Sequence, residues 1–179
     1  DVGVTGVNAD QARAGEIEIG AMIMSVNPDV GGATGSITLG FVPGSLTVLV
    51  DSQTSMQDET GAADPLTLND LVAMDYLQVE AYLDDNANLV ATEIHRDDAD
   101  DDLLQGPVDS CGAGMVTILG LGFGLVDGTT SYKDENEGSI NTALEFCTQQ
   151  ANGGYLVKVI DKLSVGGPDG TADEAELED

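Results

Sequence analysis

The chain has 179 residues, of which 33 are acidic and five are basic, so its formal net charge is −28. The excess is not a tail, because residues 1–102 carry a net charge of −18 and residues 103–179 carry −10. A field of this sign excludes phosphate backbones and anionic lipid surfaces as expected partners, whereas divalent cations and basic partners remain compatible.

The N-terminal segment, residues 1–19, has alternating apolar residues in DVGVTGV and GEIEIG. Alternation with a period of two predicts one or two strands. These strands either complete the chain's own barrel or add to the open sheet edge of a neighbouring copy. The candidate donor residues are Val2, Val4, Val7, Ile17 and Ile19.

The first unit, residues 20–97, is predicted to contain three strands, a short helix and a hairpin. The helix is predicted in DPLTLNDLVAMD, where Leu68, Leu71 and Val72 have helical spacing. In DYLQVEAYLDDNANLVATEIHRDD, residues 75–98, two alternating runs flank the turn residues DDNAN, which predicts the hairpin.

The acidic run at residues 98–104 is predicted to link this unit to a second one, residues 105–179. GYLVKVIDKLSVGGPDGTADEAELED resembles the first hairpin, and MVTILGLGFGLVDGTTS resembles SITLGFVPGSLTVLVDSQTS upstream. A second helix is predicted in SINTALEFC, with Ile140, Ala143 and Leu144 on one face and Ser139 as its cap.

The repeated order β-β-β-α-β-β predicts an all-β fold with minor α content. Specifically, it predicts two tandem OB-like five-stranded barrels, each with a short helix between strands 3 and 4. The 23 glycines, the 4% aromatic content and the absence of a long apolar run also favour small β-rich units over a bundle or a membrane span.

The segments GPV, VTILGLGFGLVDGTTSYKD and LTLNDLVAMDYLQVEAYLDDNANLVATEI resemble the family catalogued as domain of unknown function 5666. The resemblance covers roughly residues 20–179 and is most specific in the first hairpin. It implies an OB-like fold and export from a bacterial cell, and it brings no catalytic residues.

The chain contains two cysteines, Cys111 and Cys147. An even count in an exported protein favours one disulfide between them, with two small buried apolar residues as the alternative. The first residue, Asp1, suits a chain trimmed of a signal peptide, although a recombinant product would look the same. We therefore expect a secreted, extracellular or cell-surface location.

Candidate catalytic side chains are few. His95 is the single histidine, and GLGFG at residues 120–124 lacks the spacing of a phosphate-binding loop. DDNANL from Asp84 imitates the start of a calcium loop, but Leu89 and His95 occupy the positions that need Gly and Glu. A loose calcium site is the weaker alternative to a solvated acidic surface, and its candidate ligands are Asp97, Asp98, Asp100, Asp101, Asp102, Asp134 and Glu135.

We therefore expect a non-enzymatic structural protein without a cofactor, whose partner is a second copy of itself in a fibre built by β-strand addition. The alternative is an OB-like module that binds calcium or a glycan through its loops at residues 27–35 and 84–88. A hydrolase is the class that the sequence favours least, since paired carboxylates would lack an aromatic cleft.

Overall fold

The computed structural model describes residues 17–112, 114–163 and 167–179. Its strands are β1 Ile17–Pro28, β2 Gly35–Phe41, β3 Gly44–Val50, β4 Ser55–Asp58, β5 Tyr76–Leu83, β6 Leu89–Asp97, β7 Asp102–Gly106, β8 Val108–Gly112, β9 Met115–Ile118, β10 Leu121–Gly124, β11 Ser131–Lys133, β12 Ser139–Ile140, β13 Leu156–Asp161 and β14 Glu174–Glu178. The helices are a short 3-10 helix, Leu68–Asp70, and α1, Ala143–Gly153. The predicted all-β class with minor α content is confirmed.

The first half closes into a five-stranded barrel. Hydrogen bonds run from β1 to β2, β3, β6 and β5 in turn and return to β1. The β3–β6 pair is parallel and the other four pairs are antiparallel. Strand β4 adds to β6 outside this ring. This is the strand order of an OB-fold, and the alternation of buried and exposed residues follows from it, since one parity fills the barrel.

The first strands of the two halves lie side by side. Strand β7 pairs antiparallel with β1, with Ile19 opposite Leu104, and its other edge pairs with β13. One sheet therefore runs through both halves in the described residues, in the order β12-β11-β14-β13-β7-β1-β2-β3-β6-β4 with β5 between β1 and β6. Strand β7 begins at Asp102, within the segment predicted as a linker, and β1 begins at Ile17, before the predicted boundary at residue 20.

The remaining strands of the second half, β8, β9 and β10, form a small antiparallel sheet. An isolated parallel bridge from Gly124 to Thr171 connects it to the residues before β14. The buried apolar side chains of both halves belong to one cluster. Phe41 of the first half packs edge-to-face on Phe123 of the second, with ring centroids 6.0 Å apart. The two halves therefore share one core.

The predicted first helix is only a 3-10 turn. The Asp70 carboxylate accepts hydrogen bonds from the Thr67 backbone N–H at 2.9 Å and from its hydroxyl at 2.6 Å, which holds this stretch in a tight turn. Leu68 and Leu71 are buried as predicted, but Val72 is exposed because the chain turns directly into β5.

The predicted second helix exists but lies further along the chain. Its cap is Thr142, whose hydroxyl accepts the Glu145 backbone N–H at 3.2 Å, and not Ser139, which belongs to β12. Ala143, Phe146 and Cys147 form its buried face, whereas Leu144 is 64% exposed. Ala143 and Leu144 of the predicted apolar face lie in the helix, but Ile140 belongs to the preceding strand.

Candidate functional site

A groove of about 500 Å³ crosses the outer face of the sheet, where β6, β5, β1, β7 and β13 lie side by side. We call it the outer groove. Five residues in register, one from each strand, line it: His95, Gln78, Gly20, Leu103 and Ile160. The groove thus exists only because β1 and β7 join the two halves.

Gly20 forms the floor of the outer groove. A Cβ at this position would lie 2.4 Å from the Tyr76 hydroxyl oxygen, so only glycine leaves room for the ring. The Tyr76 hydroxyl donates a hydrogen bond to the Asp101 carbonyl oxygen at 2.6 Å. Burial, reinforced by nearby aspartates, raises the pKa of Tyr76 well above its usual range, so this tyrosine is a neutral donor.

Carboxylates surround the floor. Glu18 and Glu80 face each other across β1 and β5, and Asp100 and Asp101 close one end. The cation in the lining is Lys158, whose Nζ lies 3.4 Å from Glu18. Like charges directly opposite each other on a sheet are unfavourable, so a cation in the groove would relieve this repulsion.

His95 lies at the β6 side of the outer groove between two carboxylates. Its Nε2 is 2.9 Å from Glu93 Oε1 and its Nδ1 is 3.3 Å from Glu59 Oε1. Burial opposes a charge on the ring, but the hydrogen bonds that the ring donates to both carboxylates outweigh this effect and raise the pKa of His95. The sequence identifies His95 as the single histidine but does not reveal its two partners.

Arg96, the next residue of β6, points inward and is almost fully buried. Its Nε and one terminal nitrogen donate to the two oxygens of Asp58, at 3.0 and 2.5 Å, and its other terminal nitrogen donates to the Asp70 carbonyl oxygen at 2.9 Å. The Arg96 guanidinium holds the pKa of Asp58 well below its usual range. This arginine ties β6 to β4 and to the 3-10 turn, which makes it a structural residue.

A pair of aspartates faces across β7 and β13, with Asp102 opposite Asp161. Asp161 is 3% exposed and accepts backbone hydrogen bonds from Asp169 and Gly170. Burial, together with the charges of Asp161 and Asp101, raises the pKa of Asp102 to about 6. Two carboxylates in one partly buried place resist simultaneous ionisation.

The predicted disulfide is confirmed. Cys111 of β8 and Cys147 of α1 are bonded, with their Cα atoms 5.3 Å apart. The bond attaches the helix to the small sheet of the second half.

The candidate strand donors fall into two groups. Val2, Val4 and Val7 lie outside the described residues. Ile17 and Ile19 are 3% and 1% exposed in β1, where they fill the chain's own barrel. These two residues therefore complete the chain's own barrel, which was the alternative prediction, and they are core residues and not strand donors.

The candidate calcium ligands lie in two separate places. Asp97 ends β6, Asp98, Asp100 and Asp101 follow it, Asp102 begins β7, and Asp134 and Glu135 lie in the turn between β11 and β12. Within the described ranges, no group of three or more His, Cys, Asp or Glu residues has the arrangement of a metal site.

The imitation of a calcium loop at Asp84 is a hairpin turn. The Asp84 carboxylate accepts the backbone N–H groups of Asn86 and Asn88, both at 2.8 Å. Asp134 does the same for Asn136 and Gly138, at 2.9 and 2.7 Å. The pattern D-x-N-x-[NG] therefore encodes the same aspartate-capped turn in both halves.

Sequence reasoning did not predict that the residues of the outer groove lie together, because their proximity depends on the registers of five strands. One signal for Arg96 was present. Arg96 has the same parity as Ile94 on β6, so alternation places its charge on the inner face, where a buried charge needs an acidic partner.

Residues 23–95 match the model of a family described as a domain of unknown function (DUF5666), so the predicted resemblance is confirmed for the first barrel. The tandem part of the resemblance has no such match. No curated protein and no solved structure matched the chain. Among the described residues, no helix has the length and apolar character needed to cross a lipid bilayer.

Proposed function

We propose that the chain is a non-enzymatic structural module of an exported or cell-surface bacterial protein, and that it joins other copies by β-strand addition. One observation carries this proposal. The continuous sheet ends, in the described part of the chain, at β4 and β12, each of which has one hydrogen-bonded neighbour. A terminal strand presents free backbone groups to which another chain can add.

Export is supported by the disulfide, since such bonds persist in oxidising compartments. The charge of −28 also suits surroundings rich in salt or cations, because mobile ions screen the repulsion between like-charged copies. Assembly is therefore expected to increase with ionic strength.

We further propose that the second half is a partly open barrel with the strand order of the first. Its pairings run from β10 to β9 and β8, continue from β7 to β13 and β14, and return to β10 through the Gly124–Thr171 bridge. The bridge takes the place of the parallel β3–β6 pair. Two related barrels in one rigid chain are suitable units for a fibre.

Size-exclusion chromatography with light scattering, and electron microscopy at low and high NaCl, test the assembly. The full chain should form species larger than a monomer, and more of them at high NaCl. Gln57→Lys puts a charge on the edge strand β4 and should reduce them, whereas Gln53→Lys, in the turn before β4, should not. A wild-type chain that stays monomeric at every salt concentration would remove the proposal.

The donor segment is tested separately. Because β1 begins at Ile17, the deletion that preserves the barrel removes residues 1–16 only. This shortened chain should be monomeric. If it still polymerises, the N-terminal segment is not the donor.

A second candidate function, ligand binding by the OB-like face, is favoured by a pocket of about 430 Å³ beside the turn at residues 84–88. Leu46 and Leu49 of β3 and Leu119 of the second half form its apolar wall. This lining lacks aromatic rings, so a small apolar ligand fits it better than a glycan.

Titration with Nile red, a neutral apolar probe, tests this pocket. Leu49→Ser should weaken binding, and Leu144→Ser, at an exposed leucine on α1, should leave it unchanged. Equal binding by both variants would reject the pocket. Calorimetry with Ca²⁺, with Mg²⁺ as the control, tests the predicted calcium alternative, which the absence of heat would remove.

A further inference from the structure

Residues 59–71, which follow β4, close one end of the first barrel. We call them the closing segment. Leu66, Leu68 and Leu71 of this segment are at most 5% exposed and belong to the core. The closing segment overlaps the predicted helix, but its helical part is only the 3-10 turn Leu68–Asp70, so individual contacts hold the residues before this turn.

Two consecutive residues of β6 hold the closing segment from opposite faces of the sheet. On the inner face, Arg96 donates to the Asp70 carbonyl oxygen and to Asp58, whose carboxylate in turn accepts the backbone N–H of Ala63 at 2.6 Å. On the outer face, His95 contacts Glu59 at 3.3 Å. The arginine is charged at every physiological pH, whereas the histidine is not.

Both ring nitrogens of His95 face carboxylate oxygens, Nε2 toward Glu93 and Nδ1 toward Glu59. A neutral imidazole donates from one nitrogen only, and its other nitrogen would then point a lone pair at a carboxylate. Only the doubly protonated ring satisfies both contacts. The geometry therefore selects the imidazolium form.

We propose that His95 is a charge-dependent latch. When the imidazole is doubly protonated, it binds the Glu59 side chain and tightens the start of the closing segment against β6. When the ring is neutral, this side-chain contact is released, while the Glu59 backbone N–H stays bonded to the Arg96 carbonyl oxygen at 2.9 Å. The latch is a pH-responsive device in a protein that has a single histidine. It is independent of the proposed assembly, because it acts within one copy of the chain.

The charges around His95 favour the closed latch. Glu93 and Asp97 lie on the outer face of its own strand, and Gln57 of β4 and Gln78 of β5 flank it without a charge. The other titratable groups that face the outer groove with His95 are Tyr76, Glu80, Glu18, Asp100, Asp101 and Lys158. Carboxylates outnumber the cation, and the lysine is paired with Glu18.

The sign of the pH dependence follows from the raised pKa of His95. A histidine that binds its proton more tightly in the native chain contributes its full stabilisation below the unfolded pKa of about 6.5. This contribution is lost as the pH rises through the higher native value. The closing segment is therefore expected to loosen as the pH rises above about 6.5 and through the higher native pKa of His95.

Nuclear magnetic resonance measures the latch directly. In protein purified without a histidine tag, His95 gives the single imidazole signal, and its chemical shift against pH should have a midpoint above the ordinary value of about 6.5. Glu59→Gln and Glu93→Gln should each lower the midpoint. A wild-type midpoint at or below 6.5, or a midpoint that neither substitution moves, would overturn the proposal.

Amide hydrogen exchange shows whether the latch acts on the closing segment. After correction for intrinsic exchange rates, amides 59–64 should lose several-fold protection between pH 6 and pH 9. His95→Gln should show the low protection at both pH values, and His95→Arg, which keeps a charge, should lose no protection over this range. Equal loss of protection in the wild type and in His95→Arg would contradict the latch, even if the ring titrates as expected.

Discussion

The two halves of the molecule are held together by different contacts. The first barrel is closed by continuous strand pairing and by the buried Arg96–Asp58 contact. In the second half the pairing has a gap that one isolated bridge spans, and a disulfide fastens the helix to the sheet. The comparison indicates that a barrel with continuous strand pairing is stable without a disulfide, whereas a half with interrupted pairing gains stability from one.

The ion pairs differ in the same way. Arg96 and Asp58 are 9% and 0% exposed, so their contact belongs to the core of the first barrel. Lys133 and Lys162 bind Glu174 and Glu176 on the outer face of the second half, where water screens the charges. The buried ion pair of the first barrel therefore differs from these partly exposed pairs of the second half, although both halves contribute to one apolar core.

The largest expected effect concerns the contact between the halves. Phe123→Ala empties a site that is 1% exposed and removes the edge-to-face contact with Phe41. We expect a loss of about 3–5 kcal/mol in the free energy of unfolding, measured by urea denaturation. Leu144→Ala, at an exposed site, serves as the control with a change under about 0.5 kcal/mol. Equal small losses in both variants would mean that the halves do not share a core.

Removal of the disulfide tests how much the bond stabilises the second half. The bond closes a loop with a sequence separation of 36, so Cys111→Ser combined with Cys147→Ser should cost about 3–4 kcal/mol. Hydrogen exchange should show the loss mainly in β8 to β10 and α1, with the first barrel protected. An equal loss of amide protection in both halves would show that the disulfide does not act mainly on the second half.

The aspartate pair gives the second half a pH dependence of its own. With a pKa raised to about 6, Asp102 favours the native state in its protonated form, so its charge destabilises the fold at pH 8 and this penalty disappears as the pH falls through 6 toward 4. Asp102→Asn should therefore be more stable than the wild type by about 1–2 kcal/mol at pH 8 and equal to it near pH 4. Asp98→Asn, at an exposed neighbour, should show no such difference in thermal denaturation at the two pH values.

The smallest expected effect compares two strand glycines. An alanine Cβ at Gly20 would displace the buried Tyr76 hydroxyl, so Gly20→Ala should cost about 1 kcal/mol. At Gly122 the nearest atom is the flexible Met115 sulfur, 3.0 Å away, and Gly122→Ala should be neutral or slightly stabilising. Melting temperatures of the two variants give the ranking, and the reverse order would show that the floor of the outer groove is not tightly packed.

Much of the fold could be predicted from the sequence because alternation and turn residues are local signals. The hairpin of β5 and β6 and that of β13 and β14 lie where the alternation placed them. The first helix was mispredicted because Thr67 and Asp70 satisfy each other in a turn, which apolar spacing does not reveal. Leu163, within the segment that resembles the first hairpin, is 44% exposed beyond the end of β13, so the resemblance does not extend to this residue.

The candidate site could not be predicted in the same way. The outer groove requires β7 to pair with β1, and this pairing joins residues more than 80 positions apart without a local pattern. The partners of His95 illustrate the limit, since Glu93 is two residues away but Glu59 approaches only through the closing segment. The residues were visible in the sequence, but their proximity was not.

The pairing of β1 with β7 is the contact on which the continuous sheet, the shared core and the outer groove all depend. Backbone nuclear Overhauser effects in the isotope-labelled full chain test it most directly. Cross-strand contacts should connect residues 18–20 with residues 103–105 and, on the other edge of β7, residues 102–106 with β13. If residues 98–104 instead show no cross-strand contacts and behave as a flexible linker, the two halves are independent domains and β7 does not join them.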